Sequence, residues 1–213
     1  MEAGTGFTST PDELVTLKVG PNAKSFVVHK QFACDASPVL KAAFTGEFEE
    51  GLTQTYALEE TTKEVGRLLA CWLYTRKVDS KQIEDPSLKE EEDIILVELW
   101  VLADELLISD LQNDVIRQLY DNANSDGQGR PIATNCLKYA YQATAKDSKL
   151  RHFLVDLVAS LMWSDSFSSC AEDFPRQFLL EYAFRVSSTV CAEGLECELG
   201  MEKRLGRYRV SRN

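Results

Sequence analysis

Three short stretches of this chain read as β-strands, the first by strict alternation of apolar and polar residues, and all three fall within the first sixty positions. Val15-Thr16-Leu17-Lys18-Val19 is the first, closed by the turn signal Gly20-Pro21-Asn22. Ser25-Phe26-Val27-Val28-His29 follows closely enough to form a hairpin with it, and Thr55-Tyr56-Ala57-Leu58 is the third. Everything after residue 60 carries helical periodicity or none. So little β-structure, placed at one end of a mostly helical chain, selects an α+β architecture.

The helices announce themselves by their starts and their apolar faces. Ser37-Pro38 places a capping hydroxyl before proline at the first helical position, and Val39, Leu40, Ala43 and Phe44 form one face that ends near Gly46. Thr61-x-x-Glu64 fits a capping box, with Val65, Leu68, Leu69, Trp72 and Leu73 behind it. Lys77 to Asp93 is polar, and its run Glu90-Glu91-Glu92-Asp93 is expected to be a solvated linker favouring the next helix N-terminus. Ile95, Leu96, Leu99, Trp100, Leu102, Ala103, Leu106 and Leu107 are apolar around a wide arc, predicting a helix deep in the core. Ser109-x-x-Gln112 offers another capping box, before Leu111, Val115, Ile116 and Leu119.

Asn122 to Pro131 reads as the clearest boundary, a linker or mobile loop. Beyond it, Leu137, Ala140 and Tyr141 mark one amphipathic helix. Leu150, Phe153, Leu154, Leu157, Val158 and Leu161 mark a second. Phe178, Leu179, Tyr182, Ala183 and Val186, after Pro175, mark a third. Residues 187–213 lose periodicity and turn basic (Lys203, Arg204, Arg207, Arg209, Arg212), which predicts a disordered tail.

Composition narrows the function. A net charge of −11 repels phosphate backbones and argues against direct nucleic-acid binding. No apolar run nears the roughly 20 residues of a membrane helix, and Met1 to Asp12 lacks a secretory pattern, so a cytosolic or nuclear protein is expected. The six cysteines include no C-x-x-C pair; Cys34, Cys71 and Cys136 sit in apolar helical patterns as small hydrophobes. No G-x-S-x-G elbow, P-loop, H-E-x-x-H or dinucleotide fingerprint is present, and Gly127-Gln128-Gly129 follows a helix in a polar loop. His29 has no local partner at metal-ligand spacing, and His152 adjoins an apolar face as a surface or boundary residue. No catalytic residue, cofactor or metal is expected.

Several modest motifs occur in order and together resemble the BTB/POZ family. Phe26-Val27-Val28-His29-Lys30 looks like its F-x-V-H-K signature, and Ser37-Pro38-Val39-Leu40 with Phe44 like the helix that follows. Phe48-x-Glu50 before Tyr56-x-Leu58 is similar to its F-x-E motif. Leu73-Tyr74-Thr75 resembles the L-Y-T-G helix ending, except that Arg76 replaces the glycine. Leu99, Ala103, Leu106 and Leu107 match its fourth-helix pattern. In style the chain is closest to the small stand-alone BTB proteins of filamentous fungi.

The resemblance implies a BTB/POZ fold over residues 12–122, a small sheet flanked by helical hairpins; it does not reach residues 131–186, which are expected to form a C-terminal helical extension, set against an independent helical unit on a flexible loop. It gives His29 a structural role where the strand hands over to the helix. It implies an adaptor that binds proteins and pairs as a homodimer. One form is a substrate adaptor of a cullin-type ubiquitin ligase; the other is a homo-oligomeric scaffold or transcriptional co-regulator. The partner-binding candidates are Phe48 and Glu50, set against the reading that Phe48 packs inward and Glu50 orders the turn before Thr53.

Overall fold

The computed structural model describes residues 12–78, 89–125, 129–130, 132–161, 174–193, 206 and 209–211. These form two compact units: one made of the chain up to Lys77 together with Asp104–Ile108, the other of Val78–Ala103 and the chain from Ser109 onward.

In the first unit, β1 (Leu14–Val19) and β2 (Lys24–His29) form the hairpin, antiparallel with Val15 opposite Val28 and Leu17 opposite Phe26. Gly20, at φ 71°, supplies the left-handed turn conformation that a side chain would strain. β3 (Thr55–Leu58) lies on the other side of β1 and runs parallel to it, giving the order β2-β1-β3. Parallel neighbours require a long crossover. It contains three helices: α1 (Lys30–Ala36), α2 (Pro38–Thr45) and α3 (Glu49–Thr53). Val15, Leu17 and Val19 enter the core, while Leu14 and Val27 are exposed on the opposite face.

Ser37 joins α1 to α2 and is fully buried, so each of its polar groups needs a partner. Its N–H donates to the Ala33 carbonyl at 3.0 Å, its Oγ accepts the Leu40 N–H at 3.0 Å, and its hydroxyl donates to the Leu106 carbonyl at 2.6 Å. α4 (Lys63–Thr75) is capped by Thr62, whose Oγ1 accepts the Val65 N–H at 3.4 Å. The cap thus lies one residue beyond the expected Thr61, and Glu64 pairs with Arg67 at 3.0 Å. Gly66 lets α4 approach the sheet: a Cβ there would stand 2.7 Å from a Val19 methyl. Arg76 ends α4 at φ 53°, the left-handed position that explains glycine in the family motif. Its guanidinium lies 4.5 Å from the Trp72 ring centroid, a contact that offsets part of the backbone cost.

The second unit contains most of α5 (Lys89–Glu105), with α6 (Ser109–Ala123), α7 (Thr134–Ala143), α8 (Lys149–Leu161) and α9 (Arg176–Glu193). α8 packs against α6, α7 and α9. Arg151, buried on α8, donates to the Tyr141 carbonyl at 2.8 Å and to the Thr144 carbonyl, covering the exposed end of α7. Asp156 of α8 pairs with Arg185 of α9. Phe178 of α9 is buried beneath Phe174 and Tyr182, with the Tyr141 ring edge-on at 5.8 Å.

Other sequence expectations change as well. The acidic run opens the next helix, as expected, but it is not solvated throughout: residues 90–93 lie in the first turns of α5, with Glu92 and Asp93 buried and Asp93 held by Arg130 at 2.7 Å. The expected linker or mobile loop is likewise anchored at its end, where the Arg130 N–H donates to the Ala123 carbonyl at 2.7 Å. α9 continues through Glu193, into the segment expected to be disordered, and Val210 is hydrogen-bonded to Asn113. Ala183 and Val186, read as the inner face of α9, are exposed together with Leu180 and Phe184. Gly127 and Gln128 of the glycine pair, and residues 79–88, lie outside the described residues.

Candidate partner-binding site

The Phe48–Glu50 segment is shaped by two glycines. Gly46 ends α2 and Gly51 crosses back over it so closely that a Cβ on Gly51 would sit 1.9 Å from the Gly46 carbonyl oxygen. No other residue type fits that approach without moving the turn. Phe48 occupies the cap position of α3, and its carbonyl accepts the N–H groups of Gly51 at 3.0 Å and Leu52 at 3.1 Å. The turn is tied down from beyond. Gln54, in the left-handed region at φ 50°, donates its side-chain amide to the Phe44 and Gly51 carbonyls, and its own carbonyl accepts the Thr16 N–H at 2.9 Å.

On this anchored turn Phe48 is 78% exposed and Leu52 is 80% exposed. The inward-packing reading of Phe48 does not fit that exposure. Glu50 is half-buried and close enough to Tyr56 to raise its hydroxyl pKa, although burial is the larger cause and Glu105 adds to it. The Tyr56 ring meets Phe44 edge-on at 6.3 Å, so the polar and apolar parts of the turn share one support. Glu105 itself is pushed up by burial first, then by Glu60 and Asp104, which makes this neighbourhood strongly acidic.

Leu52 and Gln54 were not singled out from sequence. Leu52 stands four residues after Phe48, a spacing that could have marked it; nothing local betrays Gln54, whose role depends on β1 and α2. His29 is placed at the cap of α1, where Tyr74 accepts its backbone N–H at 3.0 Å and lies 2.9 Å from its Nδ1. Phe32 and Tyr74 each meet its ring edge-on at 5.8 Å and meet each other at 5.0 Å, so the imidazole is part of an aromatic cluster. His152 is exposed. Cys136 is buried, and Cys34 and Cys71 are half-buried free thiols, with burial the main cause raising that of Cys34. Among the described residues, no group of three or more His, Cys, Asp or Glu side chains could hold a metal, and no helix is long and apolar enough to cross a membrane.

A sheet edge, helical hairpins and an apolar pair displayed on a braced turn make a protein–protein interaction module. The family model for the BTB/POZ domain matches residues 12–122, just over half the chain, and the chain belongs to that family. No curated protein matches it.

Proposed function

We propose that this protein is a non-catalytic adaptor of the cytosol or nucleus, with Phe48 and Glu50 as its contact to the N-terminal helical region of a cullin. The observation that carries this reading is the 78% exposure of Phe48 beside half-buried Glu50 on a turn fixed by Gly51 and Gln54. A pre-positioned aromatic ring loses little conformational freedom on binding, and a neighbouring carboxylate orients the partner through hydrogen bonds. Phe48→Ala is expected to weaken capture of a purified cullin N-terminal domain by roughly 30-fold or more, as for an interface hot spot of about 2 kcal/mol. Glu50→Ala should weaken it less, and both variants should melt like the parent. Unchanged capture in both removes the cullin assignment and leaves the scaffold or co-regulator reading.

Residues 131–186 serve in this proposal as a helical extension of the interaction domain at 12–122. The packing of α8 against α6 supports it, because it links the extension to a helix within the family match. Homodimer formation belongs to the same reading. β2 is an edge strand, and Val27 on it and Leu14 beside it on β1 expose apolar surface on the outer face of the sheet. Sedimentation at about 10 μM, where a micromolar dimer is substantially formed, should give the mass of two chains. A single-chain mass at that concentration overturns the dimer.

A further inference from the structure

The basic cluster of the chain, Lys203, Arg204, Arg207, Arg209 and Arg212, surrounds Val210 in sequence. Residues Arg209–Ser211 belong to the same compact unit as α6. There the Asn113 side chain engages both backbone polar groups of Val210. Oδ1 accepts the Val210 N–H at 2.7 Å, and Nδ2 donates to the Val210 carbonyl at 3.3 Å. An amide that satisfies the N–H and C=O of one residue reproduces what a neighbouring strand provides, and it reads backbone rather than side chain. Selectivity must then come from the surroundings. Val210 is half-buried, whereas Arg209 and Ser211 on either side are exposed. Along α6, Asp110, Asp114, Arg117 and Asp121 recur at helical spacing beside Asn113, three carboxylates to one guanidinium. An acidic helix side with a backbone-reading amide suits an extended segment that is basic around a small apolar residue.

We propose that the Asn113 side of α6 is a docking site for an extended basic segment, filled in cis by residues 209–211 and open to the same kind of segment from a partner. The cis contact is intramolecular, which raises the effective concentration of the segment above that of a free partner, so two hydrogen bonds suffice to hold it in place. A partner segment gains the site once the cis residue can no longer pair.

Val210→Pro in the full chain removes the N–H that Asn113 reads and leaves Asn113 unchanged. The probe is a fluorescent peptide of residues 203–213, followed by anisotropy. It should bind the Val210→Pro protein at least tenfold tighter than it binds the parent, and adding Asn113→Ala should remove that gain. A probe with proline in place of its own valine keeps every charge and should fail to bind. Amide exchange provides a readout that needs no proline variant: the Val210 amide should be protected in the parent and lose at least tenfold of that protection in Asn113→Ala. Equal binding by Val210→Pro with and without Asn113→Ala overturns the proposal. So does full binding of the proline probe, or free-peptide exchange of Val210 in the parent.

Discussion

Leu106→Ala is expected to lower the unfolding free energy by about 2–5 kcal/mol, the range for removing a fully buried leucine side chain. The side chain is 1% exposed, and its backbone is pinned because the Leu106 carbonyl accepts the buried Ser37 hydroxyl at 2.6 Å. That bond opposes the local collapse that would fill the cavity, which places the expected loss in the upper part of the range. The adjacent residue is the control. Leu107 is 49% exposed and sits at φ 54°, where the chain turns between α5 and α6, with its N–H donating to the Asp104 carbonyl. Leu107→Ala should change stability by about 0.5 kcal/mol or less, as exposed substitutions usually do. Denaturant melts with an unchanged slope would measure both effects. A larger loss for Leu107 than for Leu106 would reverse the burial of the two side chains.

This pair also marks how far the sequence could be read. The helical period places Leu106 and Leu107 on one wide apolar arc, but α5 ends at Glu105 and the left-handed residue at 107 turns its side chain outward. A termination of that kind leaves no trace in periodicity. β1 is legible because its alternation is local, β2 because the turn signal at Gly20-Pro21-Asn22 is local, and α2 because Ser37-Pro38 is a local start. The parallel seat of β3 beside β1 was not, since strand order is decided across the three-helix crossover. At the candidate site, the motif residues Phe48 and Glu50 could be named from a short pattern, whereas their exposure depends on the Gly46–Gly51 approach and on Gln54. The acidic run was misread for a similar reason. Four consecutive acids look solvated until one of them, Asp93, is known to face a cation, and Arg130 is 37 positions from Asp93.

That distant cation carries the other large expected effect. Arg130→Ala should destabilise the chain by about 3–5 kcal/mol, the usual loss when one partner of a buried ion pair is removed. Asp93 is 2% exposed, and Arg130 grips it with two nitrogens, Nη1 to Oδ2 at 2.7 Å and Nη2 to Oδ1 at 2.9 Å. Nη2 makes the hydrogen bond and Nη1 adds a charge contact to the second oxygen that a single ammonium would not make at the same time, so Arg130→Lys should recover only part of the loss. The loss comes chiefly from the carboxylate left behind in a dry setting, so the double variant Asp93→Asn/Arg130→Ala should be more stable than Arg130→Ala alone. Salt separates this pair from a surface one. At 1 M ionic strength, where screening acts within about 3 Å, the Arg130→Ala loss should persist. The half-exposed Glu64–Arg67 pair is expected to contribute no more than about 1 kcal/mol at low salt, and less when screened. An Arg130→Ala loss below about 1 kcal/mol in urea melts would assign Asp93 to its other contacts and remove this pair as a tie between α5 and the segment that precedes the extension.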